Sequence, residues 1–324
     1  MMNKTLEGKR VLFLGYVYFD YHIKITNALI KEGAKVDYFP VMNYNFKYTI
    51  LRRLSKKMFL NHNRKHGEGI LEQTKNKTYD YVFVIQGHTF PPDFFIKLRE
   101  QNPKAVFLNY HWDAVRITEF GNSLLDVIPF FDKAYSFDRA DCEKHKKLYY
   151  LPLFYTDRNV VKREIKYDIA FVGSVTTYRR YNHVKKVEKY CNENGLTFKY
   201  FLLIPFRDYV KFALKGKVMK GVSFKTIPYS QVQEMYAESR VVIDLPNQIQ
   251  TGLTMRIIEV LADGMKLVTS NPAIKKENFF NEDNIQVLDL DAIHIDKDFI
   301  RKDIPSVDMT GYHIQQWVRD LFLG

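Results

Sequence analysis

The residue types and spacing richest in chemistry lie in one passage, Gly252-Leu253-Thr254-Met255-Arg256-Ile257-Ile258-Glu259-Val260-Leu261-Ala262-Asp263-Gly264-Met265-Lys266-Leu267-Val268-Thr269-Ser270-Asn271. It reads as a glycine turn, a helix, a second glycine turn and a strand. Gly252 and Leu253 lead into a helix start at which Thr254 is the N-cap candidate. The first amides of a helix lack intrahelical partners, and with the helix dipole they favour a phosphate. Arg256 falls in the first helical turn, where acids are the usual choice. A cation beside the positive helix end is mildly unfavourable unless an anion offsets it, and a local rule broken this way marks a functional position. Glu259 lies about two turns beyond the glycine, where its carboxylate can accept two ribose hydroxyls. Phosphate plus ribose is a nucleotide.

A second turn has similar character. Phe171-Val172-Gly173-Ser174 is a strand running into a glycine-serine turn ahead of a helix. Glycine permits close backbone approach, and Ser174 can donate to a phosphate. Arg179 and Arg180 follow, and a guanidinium can take two phosphate oxygens at once.

The elements that position these residues alternate between strand and helix. The first half reads as strands at Arg10 to Leu14, Lys35 to Pro40, Tyr79 to Ile85, Ala105 to Asn109, Lys133 to Phe137 and Tyr149 to Leu153. Helices fall at His22 to Lys31, ending at Gly33, and at Pro92 to Glu100. Asp157 to Lys166 is polar and aperiodic, a linker. The second half repeats the scheme, with strands at Tyr167 to Val172, Thr197 to Leu203, Ser223 to Ile227, Val241 to Leu245, Lys266 to Ser270 and Ile285 to Leu288. Its helices are Tyr181 to Asn194, Ser230 to Ser239, Thr254 to Ala262 and Thr310 to Phe322. Apolar strands in repeated βα units predict parallel sheets covered on both faces. The expected fold is therefore α/β, with two Rossmann-like domains whose sheets face a central cleft, where ligands of open α/β sheets bind. The expected bounds are 1–157, 167–308, and a terminal helix at 309–324 packing back toward the first domain.

Composition narrows the classes. At 324 residues, with 46% hydrophobic and 27% charged side chains, the chain suits two well-packed domains. Two cysteines, Cys142 and Cys191, argue against a disulfide framework and suit a reducing cytoplasm. Val11 to Phe19 is a first strand rather than a signal peptide, and no apolar run approaches the ~20 residues that span a bilayer. The net charge of +12 favours anionic partners. No nucleic-acid-binding signature accompanies it, so no specific nucleic acid is expected. Basic residues within Lys47 to Lys65 alternate with Ile50, Leu51, Leu54, Met58 and Phe59, a pattern suited to an anionic membrane surface. Phe206 to Lys220 is a second basic, partly aromatic patch. The expected location is cytoplasmic, with peripheral contact at the inner face of the cytoplasmic membrane.

The second half resembles the donor-binding domain of GT-B glycosyltransferases, in particular the CgeB-like and capsular-polysaccharide enzymes of bacteria. Three passages carry the resemblance over about a hundred residues. They are Tyr167 to Ser174, then Ile227-Pro228-Tyr229-Ser230 through Met235-Tyr236 to Val241-Val242-Ile243-Asp244-Leu245, and Gly252 to Asn271. The resemblance implies transfer of a sugar from a nucleoside-diphosphate donor to a glycan acceptor, lipid-linked, in cell-surface polysaccharide assembly. It places Gly173, Ser174, Arg179 and Arg180 on the donor diphosphate, with Gly252, Leu253, Thr254 and Arg256 as a second phosphate contact and Glu259 on the ribose. No cofactor or metal is expected, because helix dipoles and basic side chains stabilise the leaving diphosphate in this fold. Asp289-Leu290-Asp291 matches the triplet of the metal-dependent glycosyltransferase fold, but it trails the nucleotide-binding unit. Eight positions before Glu259 stands Thr251 where retaining relatives carry an acid, so the retaining pair is incomplete. A base for the acceptor hydroxyl is expected from the first half. The candidates are His88, His111 and Asp113 at strand ends, and Asp20 beyond Gly15. Tyr16 and Trp112 are candidates for stacking on sugar rings. Two other readings are a catalytically silent subunit that binds glycan or docks a partner, and a Rossmann dehydrogenase or epimerase. Leu14-Gly15-Tyr16-Val17-Tyr18 lacks the GxGxxG spacing that the last requires.

Overall fold

The computed structural model describes residues 4–43, 55–115, 118–119, 122–157, 163–246, 251–303 and 307–324. Two compact units emerge: 1–156 with 250–252 and 311–324, and 157–249 with 253–310.

In the first unit β1 (Arg10–Gly15) is buried from Val11 to Leu14, as an apolar run covered on both faces must be. Helix α1 (Tyr21–Lys31) ends where Gly33 takes φ +97°, a conformation glycine adopts without strain. There follow β2 (Lys35–Pro40), α2 (Lys56–Thr74), β3 (Tyr81–Ile85), α3 (Pro92–Gln101) and β4 (Val106–His111). A small hairpin, β5 (Thr118–Glu119) with β6 (Asn122–Ser123), leads through a 3-10 turn to β7 (Lys133–Ser136), α4 (Arg139–Lys144) and β8 (Leu148–Tyr150). The main sheet runs β2-β1-β3-β4-β7-β8, with every adjacent pair parallel.

The second unit contains β9 (Tyr167–Ser174), α5 (Tyr178–Glu193), β10 (Phe198–Leu203), α6 (Phe206–Ala213) and α7 (Tyr229–Ala237). It continues with β11 (Ser239–Asp244), α8 (Met255–Ala262), β12 (Lys266–Thr269), β13 (Ile285–Val287) and α9 (Lys297–Arg301). Its sheet runs β10-β9-β11-β12-β13, again all parallel. Val184, Val187 and Cys191 recur at helical spacing along α5 and are buried in one cluster with Ile169, Phe171, Val241 and Ile243. Each such aliphatic or aromatic side chain contributes about 1.5–3 kcal/mol on full burial. Burial pushes the Cys191 thiol up to about 12, so it acts as a small apolar side chain.

The last helix, α10 (Ile314–Leu323), belongs to the first unit. Trp317 sits 4.7 Å from the Phe154 ring and 4.9 Å from Tyr110. Arg319 meets the buried Glu32 of the α1 terminus at 2.9 Å.

Several elements depart from expectation. Ser223 to Ile227 forms no strand; Ser223 makes a single bridge to Leu203, and its hydroxyl turns back onto Lys225. Helices α4, α6 and α9 were not anticipated; they span six, eight and five residues, too short to stand out as helical segments. Of the basic stretch Lys47 to Lys65, positions 47–54 lie outside the described residues, as does half of the linker, 158–162. Ser55 caps α2 by accepting from the Met58 amide. No helix among the described residues is long and apolar enough to cross a membrane.

Candidate functional site

In the second unit the chemistry gathers at the carboxyl ends of β9 and β11, which are paired neighbours. β9 ends at Gly173 and Ser174. A Cβ on Gly173 would lie 2.8 Å from the Phe171 ring and 3.3 Å from the Arg180 guanidinium, so only glycine fits without displacement. Helix α5 starts four residues after Ser174, and Thr177 caps it by accepting from the Arg180 amide at 3.2 Å. Its first turn holds no acid but does hold Arg179, which is exposed, and Arg180, which is half-buried. Two cations thus occupy the positive end of a helix, where an anion would be stabilised.

The β11 end is organised by Asp244, fully buried at the last strand position. Thr254 caps α8 by accepting from the Ile257 amide, and its hydroxyl donates to Asp244 Oδ1 at 3.1 Å. Arg256 donates to Asp244 Oδ1 at 2.6 Å, to the Tyr236 hydroxyl at 3.0 Å and to the Val172 carbonyl at 2.7 Å. The anion that offsets a cation in this first turn is therefore the protein's own Asp244. Burial alone would lower the Arg256 pKa; Tyr236 and Asp244 outweigh it and hold the guanidinium above its ordinary value. The Val172 bond ties α8 to the strand leading into Gly173.

Arg180 lacks this support. Its guanidinium carbon lies 5.9 Å from the Phe171 ring centre, and that of Arg256 lies 5.6 Å from the same ring. Its buried Nε has no hydrogen-bond partner, and it makes no ion pair among the described residues. Burial, and then the charge of Arg256, pull its pKa down to about 10, with Asp244 opposing weakly. A desolvated cation beside a second cation and a helix start is arranged for an anion.

On α8, Ile257, Ile258, Val260 and Leu261 are buried, leaving Glu259 on the same face as Arg256. The Tyr229 hydroxyl, at the start of α7, donates to Glu259 Oε2 at 3.0 Å. Leu253 is buried. Gly252 has a packing reason of its own: a Cβ there would meet the Phe137 ring at 2.4 Å, and the residue belongs to the first unit. Beside it, the Thr251 amide and hydroxyl both donate to Asp138, the cap of α4. Asp289 accepts from the Asp291 amide at 2.8 Å, and both side chains are exposed.

In the first unit, three of the four acid–base candidates share the carboxyl ends of β3 and β4. After β3 the chain turns through Gln86 at φ +61° and Gly87 at φ +90° to reach His88. A left-handed glutamine is strained, and such strain collects at functional sites. Asn109 holds it there, donating to the Val84 and Gln86 carbonyls at 2.8 and 3.0 Å. Gln86 in turn donates to Asp113 Oδ2 at 2.5 Å. His111 is fully buried, and neither ring nitrogen has a hydrogen-bond partner. Burial, and then His88, pull its pKa down to about 3, so it is neutral at pH 7 and a weak base. Asp20 pairs with Lys24 at 3.2 Å on the exposed start of α1. The Tyr16 and Trp112 rings lie 6.1 Å apart. A cavity of about 730 Å³ opens beside His88, lined by Phe90, Phe95 and Phe130 with Lys57 and Arg64. Sequence reasoning missed Asn109, Asp244 and Thr177. Asp244 left a trace, as an acid closing the apolar run Val241–Ile243.

Two parallel, helix-flanked sheets in separate units define the GT-B class of two Rossmann-like domains. Solved structures share it. Starch Synthase IV from Arabidopsis thaliana, determined with ADP and acarbose, aligns with a TM-score of 0.58 at 8% identity, covering 97% of this chain and 95% of that one. MurG of Acinetobacter baumannii aligns at 0.51 and 10% identity over 97% and 99% of the two chains. S. aureus MnaA with UDP gives 0.51 and 10% identity over 95% and 90%. At such identities the likeness is one of fold. No protein-family model and no curated protein matches this sequence.

Proposed function

We propose that this protein is a glycosyltransferase that moves a sugar from a nucleoside-diphosphate donor to a glycan acceptor, lipid-linked, in bacterial cell-surface polysaccharide assembly of the CgeB-like or capsular kind. One observation carries the reading: Arg180, desolvated and without an ion pair among the described residues, stands beside the Gly173 turn at the start of α5. A donor diphosphate supplies the missing charge. Arg179, Ser174 and the first amides of α5 add donors, while Arg256, already bonded to Asp244, fixes α8 so that Glu259 can accept the ribose hydroxyls. As the acceptor oxygen bonds to the anomeric carbon, the bond to the diphosphate breaks. The departing charge falls on Arg180 and the helix start, with no metal required. The acceptor proton passes to Asp113 or His88; His111 is too weakly basic for the task. The same reading places the enzyme in the cytoplasm, touching the membrane through Lys47 to Lys65.

The test is a melting screen of the purified chain against UDP, GDP, CDP, dTDP and their sugars, since a ligand at 100 times its Kd stabilises by about 2.7 kcal/mol. One base should raise the melting temperature and the others should not. A flat response to all of them would remove the donor assignment.

A further inference from the structure

Helix α6 carries its apolar side chains in two rows along one side. Tyr209 and Phe212 pack inward against the core of the second unit. Phe206, Val210 and Leu214 recur every four residues along the outer face and stand in solvent, with Phe206 63% and Leu214 84% exposed. Folding explains the inner pair and leaves the outer row unaccounted for. Phe224 extends that row, its ring meeting Phe206 edge-on at 5.3 Å while itself 46% exposed. The same stretch of chain carries the exposed Arg207, Lys211, Lys215, Lys217, Lys220 and Lys225, with Asp208 the one acid between positions 205 and 226. Asp208 pairs with Lys211; Lys215, Lys217, Lys220 and Lys225 form no ion pair among the described residues.

We propose that this face of the second unit is a docking surface for a bilayer leaflet rich in anionic phospholipid. An exposed apolar ridge in a basic surround has the composition of a helix that lies in the membrane interface, its apolar row entering the acyl boundary and its cations meeting headgroup phosphates. Lysine stems suit this geometry because they can follow the apolar surface while their ammonium groups stay wet. The excess of basic over acidic residues on the patch has the sign needed for an anionic leaflet. An acidic protein would match the lysines but would leave Leu214 without an apolar counterpart.

The experiment is co-sedimentation of the full chain with phosphatidylcholine vesicles, with and without phosphatidylglycerol, at low and high salt. Binding is expected to the anionic vesicles alone and to weaken with salt. A Phe206→Ser/Leu214→Ser variant should lose retention. Each of Lys215→Gln and Lys217→Gln should weaken it about fivefold, the effect of roughly one surface cation. All these positions are exposed, so the variants should keep the wild-type melting temperature and nucleotide response, which certifies the fold separately from the lipid result. Unchanged sedimentation of the variants, or no binding of the wild type to either vesicle, would overturn the proposal. So would lipid-free self-association abolished by the serine variant, since that would assign the face to a second copy of the chain.

Discussion

Replacing Arg180 with methionine distinguishes a ligand-binding cation from a structural one, because the two roles predict opposite signs for stability. If Arg180 held the fold together, its removal would destabilise the second unit. Among the described residues Arg180 has no ion pair, its buried Nε has no partner, and a second guanidinium lies on the same Phe171 ring. Methionine keeps much of the apolar stem and removes both the desolvated charge and the repulsion from Arg256. The unliganded variant should therefore match the wild type or exceed it by up to about 1 kcal/mol, a rise of roughly 2–4 °C in melting temperature for a unit of this size. Nucleotide binding should fall. A hydrogen bond to a charged group contributes about 1.5–3 kcal/mol, so losing one of about 2 kcal/mol weakens affinity roughly thirtyfold. At a nucleotide concentration of 100 times the wild-type Kd, the stabilisation should drop from about 2.7 to about 0.9 kcal/mol. Thermal melts with and without nucleoside diphosphate measure both numbers. A variant that melts several degrees lower yet keeps the full nucleotide shift would refute the reasoning.

Three further outcomes can be checked. Glu259→Ala should sharply weaken binding of the ribonucleotide and abolish the preference over its 2′-deoxy form, measured by calorimetry; a retained preference would move the ribose elsewhere. Asp113→Asn should leave the nucleotide-induced melting shift intact while lowering sugar-nucleotide turnover by about 10²–10⁴-fold, the usual contribution of a general base. Arg319→Met should cost about 2 kcal/mol at pH 7 by stranding the buried Glu32 carboxylate. Burial raises the Glu32 pKa, but the Arg319 and Thr5 hydrogen bonds outweigh it, so its folded pKa lies below the ordinary 4.5. That stabilisation is present above the unfolded pKa and is lost as pH falls through the lower folded value. The gap between wild-type and variant urea midpoints should accordingly close in acid.

Much of the fold was legible because the parallel strands are nearly continuous apolar runs. Val11 to Leu14, Val82 to Ile85 and Val241 to Ile243 are buried as such runs must be in a doubly covered sheet. Gly33 and Thr254 could be placed because terminating and capping a helix depend on single residues. Ser223 to Ile227 misled because its alternation imitates a strand, while a serine turning back on Lys225 consumes the backbone groups that pairing needs. Helix α6 was hidden by its length: eight residues give barely two turns in which a period can show, although its apolar residues do share one side. In the candidate site, the turn at Gly173 and the helix that carries Glu259 could be read locally, because each is a run of neighbouring residues. The partnership of Asp244 with Arg256 could not, since it joins a strand end to a helix start across a loop and exists only once β9 and β11 are paired. Arg256 drew attention as a misplaced cation, and the structure shows its anion. Arg180 has no such anion among the described residues, and its placement beside Arg256 emerges only in three dimensions.

The most direct measurement is a crystal structure of the chain with whichever nucleoside diphosphate raises its melting temperature most. The diphosphate should lie against the Gly173 turn with its oxygens on the Arg180 guanidinium and the opening amides of α5, and the ribose hydroxyls should meet Glu259. A nucleotide bound elsewhere, with Arg180 still lacking an anion, would contradict the account.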